Sequence, residues 1–131
     1  MNQAWIRKRL PTSSIRYAEA GCGWVPYLME RLDLEYEHRN TQVPERKKMP
    51  SEHLKSGRIF IHSELEKRGI HQIAELLRDD ILFCATDYPH EPRTAFRENI
   101  EKFMAREDVS GDTKQKICFE NPKPMYPLAL Q

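Results

Sequence analysis

Residues 81–92 read ILFCATDYPHEP, an apolar run that passes directly into an acid, an aromatic ring, a proline and a histidine. The run from 81 to 85 does not alternate between apolar and polar residues, which is typical of a strand in a parallel sheet covered on both faces. Asp87 then either forms a turn or holds a reactive group where the strand ends. The stretch therefore predicts a buried parallel strand with an acid at its carboxyl end.

Two further apolar runs precede this one, at residues 15–18 and 58–62. After each of the three runs, apolar residues recur at three- and four-residue steps, which indicates an amphipathic helix. The predicted apolar faces contain Val25, Leu28, Met29, Leu32 and Tyr36, then Ile70, Ile73, Ala74 and Leu77, then Phe96, Ile100, Phe103 and Met104. A last short helix is expected to open at Asp112 or Thr113. The order β-α-β-α-β-α predicts an α/β fold with right-handed crossovers.

The composition restricts the classes of protein to which the chain can belong. Its 131 residues suit one domain, and the 21 Lys and Arg against 20 Asp and Glu argue against nucleic-acid binding through bulk charge. No apolar stretch approaches the roughly 20 residues that cross a bilayer. The three cysteines are too few and too scattered for a disulfide framework. We expect a cytoplasmic protein with reduced thiols that binds neither nucleic acid nor membrane.

The candidate functional residues stand at the three strand ends. Ligands gather at the carboxyl ends of the strands both in open parallel sheets and in barrels. Glu19, His62 and Asp87 occupy these ends, and each side chain could bind a metal or move a proton. A turn-forming aspartate, a solvated loop glutamate and a half-buried, hydrogen-bonded histidine are the alternatives. The agreement among three strand ends favours a site there.

Two motifs carry a resemblance to a known family. Residues 19–33 contain the pattern E-x-G-x-x-W-x-P followed by R-L-D, and residues 86–90 read T-D-Y-P-H. Together with PSEHLKSGRIFIHSE and KICFENPKPMYPL, they resemble the amidohydrolase-related family, over residues 15–128. These are metal-dependent hydrolases and decarboxylases built on a (β/α)8 TIM barrel. The resemblance implies that the three strands correspond to about strands six to eight, with residues 15–131 as a partial domain and residues 1–14 poorly matched.

The resemblance also implies roles for individual residues. Asp87 falls on the family's aspartate at the end of the last strand, which ligates the metal and handles the proton. Glu19 falls where relatives place a histidine or glutamate that faces the substrate, so Asp87 and Glu19 are expected to be catalytic. His90, in the same loop as Asp87, is assigned to substrate binding, with simple exposure as the alternative. Trp24 and His62 are also assigned to substrate binding, although the resemblance gives His62 no role of its own and packing is the alternative for Trp24. The implied cofactor is a divalent ion, zinc or manganese, which lowers the pKa of bound water to about 7.

The chain is too short for a complete barrel, because such a barrel needs about 250 residues or more. The family takes further metal ligands from an H-x-H or E-x-H pattern on its first strand and a histidine on its fifth. Neither pattern occurs near the N-terminus, and the first histidine is His38. We therefore expect an incomplete, C-terminal fragment of a metal-dependent hydrolase or carboxy-lyase, acting on a small cyclic or aromatic carboxylic acid. The isolated chain is expected to have little or no activity.

A second hypothesis comes from a different class of protein. Three strands of a barrel leave two open edges, and open edges favour association. The chain could then be a non-catalytic α/β module that dimerises or binds a partner, such as a complementing N-terminal half-barrel. A nucleotide-binding function is not indicated, since neither G-x-G-x-x-G nor a P-loop follows any strand.

Overall fold

The computed structural model describes residues 14–125, in which three parallel strands are flanked by helices. The strands are β1 (Ile15–Tyr17), β2 (Ile59–His62) and β3 (Leu82–Phe83). The helices are α1 (Val25–Arg39), α2 (Pro50–Leu54), α3 (Ile70–Leu77), α4 (Arg93–Met104) and α5 (Gly111–Gln115). A π-helical turn follows at Lys116–Glu120, and short 3-10 turns lie at Asn40–Gln42, Asp79–Ile81 and Lys123–Met125. The predicted α/β order is confirmed, while most of the poorly matched segment 1–14 lies outside the described residues.

The sheet has the order β1-β2-β3. Ile15 pairs with Ile59, and Ile61 pairs with both Tyr17 and Leu82. Because residues paired in a parallel sheet point to the same face, this register divides the strands into two sets of alternating side chains. On one of these faces, Ile59, Ile61 and Leu82 are at most 1% exposed and form the centre of the core.

The helices cover this face with the apolar residues that their periodicity predicted, although not with all of them. Their buried residues in the core are Val25, Met29, Ile70, Ile73, Leu77 and Phe103. Leu32 and Met104 were also predicted to face the core, but their exposed fractions are 39% and 42%. In α1 only Val25 and Met29, in the first half of the helix, are buried, and in α4 the neighbouring Phe103 takes the buried position. The buried stripes are therefore narrower than the predicted apolar faces.

The segment after α5 holds β3 in place. The side-chain nitrogen Nδ2 of Asn121 donates hydrogen bonds to the carbonyl oxygens of Asp79, at 2.6 Å, and Leu82, at 2.7 Å. The backbone N–H of Cys84 donates to the carbonyl oxygen of Ile117 at 3.2 Å. The strand that leads to Asp87 is thus fastened by residues that follow it by more than thirty positions in the sequence.

Helix α5 begins earlier than the sequence predicted. Ser110 is its N-cap, and its hydroxyl oxygen accepts a hydrogen bond from the backbone N–H of Thr113 at 3.1 Å. On the same helix, the buried Lys114 donates to the carbonyl oxygen of Met104 at 2.9 Å, and also to that of Arg106. These two carbonyls lie at the end of α4 and just beyond it, so Lys114 joins α5 to the end of α4.

Both edges of the sheet are open within residues 14–125, since no strand of this range pairs with the outer side of β1 or β3. This arrangement agrees with a partial barrel. Among the helices of the same range, none combines the length and the apolar character that crossing a bilayer requires.

Candidate active site at the strand ends

A cavity of about 390 Å³ opens at the carboxyl ends of β2 and β3. Glu19, His62 and Asp87 all line it, although they are separated by many residues in the sequence. The parallel order of the strands explains this convergence, because it places all three carboxyl ends at one edge of the sheet. The structure therefore brings together three of the five residues that the sequence proposed for a site.

Two of these residues, Glu19 and Asp87, have a left-handed backbone conformation. Their φ angles are 60° and 51°, in a region that residues other than glycine adopt rarely. Such conformations are found more often at functional sites, where the surrounding structure offsets their cost. Glu19 comes two residues after the end of β1 at Tyr17, and Asp87 lies in the loop that follows β3.

The loop around Asp87 is a hydrogen-bonded turn. The backbone N–H of Tyr88 donates to the hydroxyl oxygen of Thr86 at 3.2 Å, and that of Glu91 donates to the carbonyl oxygen of Asp87 at 3.1 Å. The peptide bond between Tyr88 and Pro89 is cis. Asp87 thus takes part in a turn through its backbone carbonyl and also lines the cavity. It can therefore be both a turn former and a functional acid.

His62 combines a structural contact with a place in the cavity. Its ring nitrogen Nδ1 accepts a hydrogen bond from the backbone N–H of Glu19 at 3.3 Å, which joins the ends of β1 and β2. The ring is half-buried and lies 5.6 Å from that of Phe83, measured between centroids. Because Nδ1 accepts, a neutral His62 carries its proton on Nε2. The alternative of a hydrogen-bonded, half-buried histidine therefore describes its local contacts.

The cavity is strongly acidic. Five carboxylate residues line it, and none of its described lining residues is a lysine or an arginine; the acids are Glu19, Glu64, Glu66, Asp87 and Glu91. Lys67, just outside the lining, forms ion pairs with Glu64 at 3.0 Å and Glu66 at 3.7 Å, and the hydrogen bond that it donates to Glu64 raises the pKa of Lys67. The remaining carboxylates favour a cationic group in the cavity.

Arg106 fixes the loop that carries Glu64 and Glu66. Its guanidinium donates to the carbonyl oxygens of Lys67 at 2.6 Å and Arg68 at 3.0 Å. The same group forms an ion pair with Asp108 at 2.6 Å and lowers the pKa of that carboxyl to about 2. The loop after β2 is thus attached to the segment that follows α4.

Trp24 and His90 do not line the cavity. Trp24 is half-buried, its indole N–H donates to the carbonyl oxygen of Gly21 at 2.9 Å, and its ring meets that of Tyr17 edge to face at 5.6 Å. These contacts are those of a packing residue. His90 is exposed in the turn after Asp87. The substrate contacts assigned to both residues stay predictions.

Sequence reasoning missed the part of the cavity that α4 supplies. Phe96 and Asn99 line the cavity, and they are three positions apart, so they lie on the same side of the helix. The sequence predicted Phe96 only as a core residue. Asn99, an uncharged polar residue between the apolar positions Phe96 and Ile100, is the signal that could have indicated this wall.

The described residues do not form a complete metal site. Within residues 14–125, no three side chains from His, Cys, Asp and Glu are grouped so that they could hold a metal ion. A catalytic zinc site usually needs three protein ligands. The role of Asp87 as a metal ligand therefore stays a prediction.

Comparison with known proteins gave matches only among solved structures, since no family model and no curated protein matches the sequence. The crystal structure of the 5-carboxyvanillate decarboxylase LigW from Sphingomonas paucimobilis matches with a TM-score of 0.71 and 20% identity, over 93% of this chain and 36% of that chain. LigW2 from Novosphingobium aromaticivorans, an Asp-to-Asn mutant with bound manganese and 3-methoxy-4-hydroxy-5-nitrobenzoic acid, matches with a TM-score of 0.66 and 22% identity. The fold is that of part of a LigW barrel.

The chain spans 36% of the length of each of these LigW chains. The predicted partial barrel is thereby supported, because the matched region covers nearly all of this chain and only part of each LigW chain. At this level of identity, the structural likeness establishes the fold.

Proposed function

We propose that this chain is the C-terminal part of a metal-dependent carboxy-lyase of the amidohydrolase-related type, acting on a small aromatic carboxylic acid. The observation that carries the proposal is the convergence of Glu19, His62 and Asp87 on one cavity at the strand ends, in a fold shared with LigW. Decarboxylation is favoured over hydrolysis because both structural neighbours are decarboxylases.

The size and lining of the cavity suit an aromatic ring. Its volume of about 390 Å³ lies within the usual range for small-molecule sites, about 300–1,000 Å³. Leu65, Ala85, Ala95 and Phe96 supply apolar lining, and polar side chains surround it. A ring packed against Phe96 would have its substituents near the carboxylates.

The charge of the cavity requires a cation before an aromatic acid can bind. Five carboxylate residues repel an anionic substrate, and a divalent ion is a group that can offset part of this negative charge and bind the substrate's acidic groups directly. The manganese in LigW2 supports such an ion, and zinc is the other candidate. Since residues 14–125 provide no group of three ligands, the missing ligands would come from a complementing part of the barrel.

The residues of this chain would then handle the proton of the reaction. Decarboxylation breaks a carbon–carbon bond, releases CO2 and leaves an electron pair on the ring carbon, which must accept a proton. We assign the delivery of this proton to Asp87, with Glu19, which follows β1 and lines the same cavity, as the alternative. Ser63 supports this part of the site, because its backbone N–H and its hydroxyl donate to the carbonyl oxygen of Phe83 at 2.8 and 3.2 Å.

The metal part of the proposal can be tested by NMR, since paramagnetic Mn²⁺ broadens the signals of nearby amides even when it binds weakly. In the ¹⁵N-labelled chain, Mn²⁺ should broaden the amides of Glu19, Thr86 and Asp87 first. Asp87→Ala should weaken binding about tenfold or more. Glu98→Gln, which removes one exposed charge from α4, should have no such effect.

Binding of an aromatic acid can be tested with the same NMR spectra of the ¹⁵N-labelled chain. With Mn²⁺ present, 3-methoxy-4-hydroxy-5-nitrobenzoic acid should shift the amides around Phe96, while no turnover of 5-carboxyvanillate is expected from the isolated chain. Broadening centred elsewhere, or unchanged by Asp87→Ala, would contradict the assignment of the site. Robust metal-dependent turnover by the chain alone would show that the site is complete without a partner.

The non-catalytic module remains the second candidate, and the open edges of β1 and β3 within residues 14–125 favour it. If it is correct, the purified chain should be a metal-free oligomer, or should bind a complementing half-barrel, and Asp87→Ala should leave the assembly intact. Analytical ultracentrifugation together with metal analysis distinguishes the two candidates. A monomer that loses Mn²⁺ binding on Asp87→Ala would reject the module.

A further inference from the structure

Two of the three cysteines lie against each other behind the cavity. Cys84 directly follows β3 and is buried, while Cys118 lies in the π-helical turn Lys116–Glu120 and is half-buried. The proximity of the two thiols raises the pKa of Cys84 and lowers the pKa of Cys118. Both thiols are free, although a scattered set of three cysteines had given the sequence no sign of a pair.

We propose that Cys84 and Cys118 form an oxidisable pair that a small disulfide, such as oxidised glutathione, converts into an intramolecular disulfide bond. This inference does not depend on the proposed enzymatic function. It assigns a modification site to a part of the molecule that the candidate active site does not use.

The backbone geometry favours the bond. The N–H of Cys84 donates to the carbonyl oxygen of Ile117 at 3.2 Å, which places the backbone of Cys84 beside the residue that precedes Cys118. Asn121 fixes the two segments further, through its hydrogen bond to the carbonyl oxygen of Leu82 at 2.7 Å. Since the backbones of the two segments are already adjacent, we expect the approach to an S–S bond of about 2.05 Å to need no rearrangement of either segment.

The two thiols differ in exposure and in pKa, the two properties that decide which thiol attacks in a disulfide exchange. Cys118 is the more exposed, and the hydrogen bond from Cys84 stabilises its thiolate and so lowers its pKa. The thiolate is the attacking species in such reactions. Cys118 is therefore the nucleophile, and the buried Cys84 is the resolving thiol.

The reaction balances with one molecule of oxidised glutathione. The Cys118 thiolate attacks one glutathione sulfur, the glutathione S–S bond breaks, and one glutathione thiolate leaves. Cys84 then gives up its proton to this thiolate, attacks the sulfur of Cys118 and releases the second glutathione as a thiolate, which takes up the proton that Cys118 lost. Two protein thiols are oxidised to one disulfide, and one glutathione disulfide is reduced to two thiols.

The position of Cys84 connects the pair to the cavity. Only Ala85 and Thr86 separate it from Asp87, and both line the cavity with Asp87. A disulfide would join this strand end covalently to the turn at Lys116–Glu120. Oxidation would therefore restrict the segment that positions Asp87.

The test treats the full chain with oxidised glutathione and then maps its peptides by mass spectrometry without reduction. Trypsin places the three cysteines on separate peptides, so every linkage can be identified. We expect one linked pair, Cys84 with Cys118, a mass loss of about 2 Da that marks disulfide formation, and one remaining thiol.

Serine variants distinguish the attacking thiol, Cys118, from the resolving thiol, Cys84. Cys84→Ser should trap glutathione on Cys118, with a mass gain of about 305 Da, because the resolving thiol is missing. Cys118→Ser should leave Cys84 reduced. Cys22→Ser is the matched control and should oxidise as the unmodified chain does, since Cys22 is 0% exposed.

Equal consumption of all three thiols, linkage through Cys22, disulfides only between chains, or a fully reduced chain after prolonged exposure would each overturn the proposal. The peptide map of the unmodified chain needs no substitution. It therefore decides the outcome even if a serine variant does not fold.

Discussion

Replacing Phe103 with alanine should lower the free energy of unfolding by about 3–5 kcal/mol, the largest loss that we expect from one substitution. The ring is 1% exposed and belongs to the core under the sheet. The guanidinium of Arg106 also lies over it, at 5.8 Å from the ring centroid. Alanine removes the buried ring and this contact and leaves a cavity, and urea denaturation measures the loss.

Met104 offers a matched control in the next position of α4. Its exposed fraction is 42%, and it contributes its backbone carbonyl to Lys114 rather than its side chain. Met104→Ala should therefore cost less than about 1 kcal/mol. Similar losses at positions 103 and 104 would contradict the orientation of α4 on the sheet.

Replacing Asn121 with aspartate should cost about 3 kcal/mol at neutral pH, although the two side chains have nearly the same shape. The Nδ2 group donates to the carbonyl oxygens of Asp79 and Leu82, and Asn121 is 8% exposed. A carboxylate has no N–H or O–H to donate, so both carbonyls lose a partner and face a negative charge. Urea denaturation of both proteins measures this difference.

The pH dependence of this variant has a definite sign. Burial and the two carbonyls favour the protonated form of the introduced carboxyl group in the folded state, so its pKa should rise above the usual value of about 3.9. The destabilisation should then be smallest below about pH 4 and should grow as the pH rises through the raised pKa. Asn40→Asp, at an exposed position after α1, should cost less than about 1 kcal/mol. A loss at position 121 that is independent of pH would contradict the role of the amide as a donor.

The elements that sequence reasoning located correctly are those whose signals are local. The apolar run 58–62 contains β2 and the run 81–85 contains β3. Both residues of β3 are buried, as a run of consecutive apolar residues predicts. Glu19 and Asp87 could be located at strand ends because each follows an apolar run in the sequence. That the three strand ends meet at one cavity followed from the parallel order of the strands, which the intervening helices imply.

Other features could not be predicted because they depend on residues distant in the sequence. Periodicity placed Phe103 and Met104 on one apolar face, but only the position of α4 against the sheet decides that the first is buried and the second exposed. Asn121 reaches Leu82 across 39 positions. The start of α5 at Ser110 was missed because three neighbouring residues could each serve as its cap.

By itself, the sequence determined the order of the strands and helices, the approximate positions of the three strands and the presence of an ionisable residue at each strand end. These properties depend on periodicity and on immediate neighbours, which the chain carries in its linear order. The tertiary structure alone decided that Glu64, Glu91 and Phe96 share the cavity, and that Cys84 lies beside the turn that carries Cys118. Such contacts join residues that only the packing of helices on the sheet brings together, because distance in the folded chain is not set by separation in the sequence.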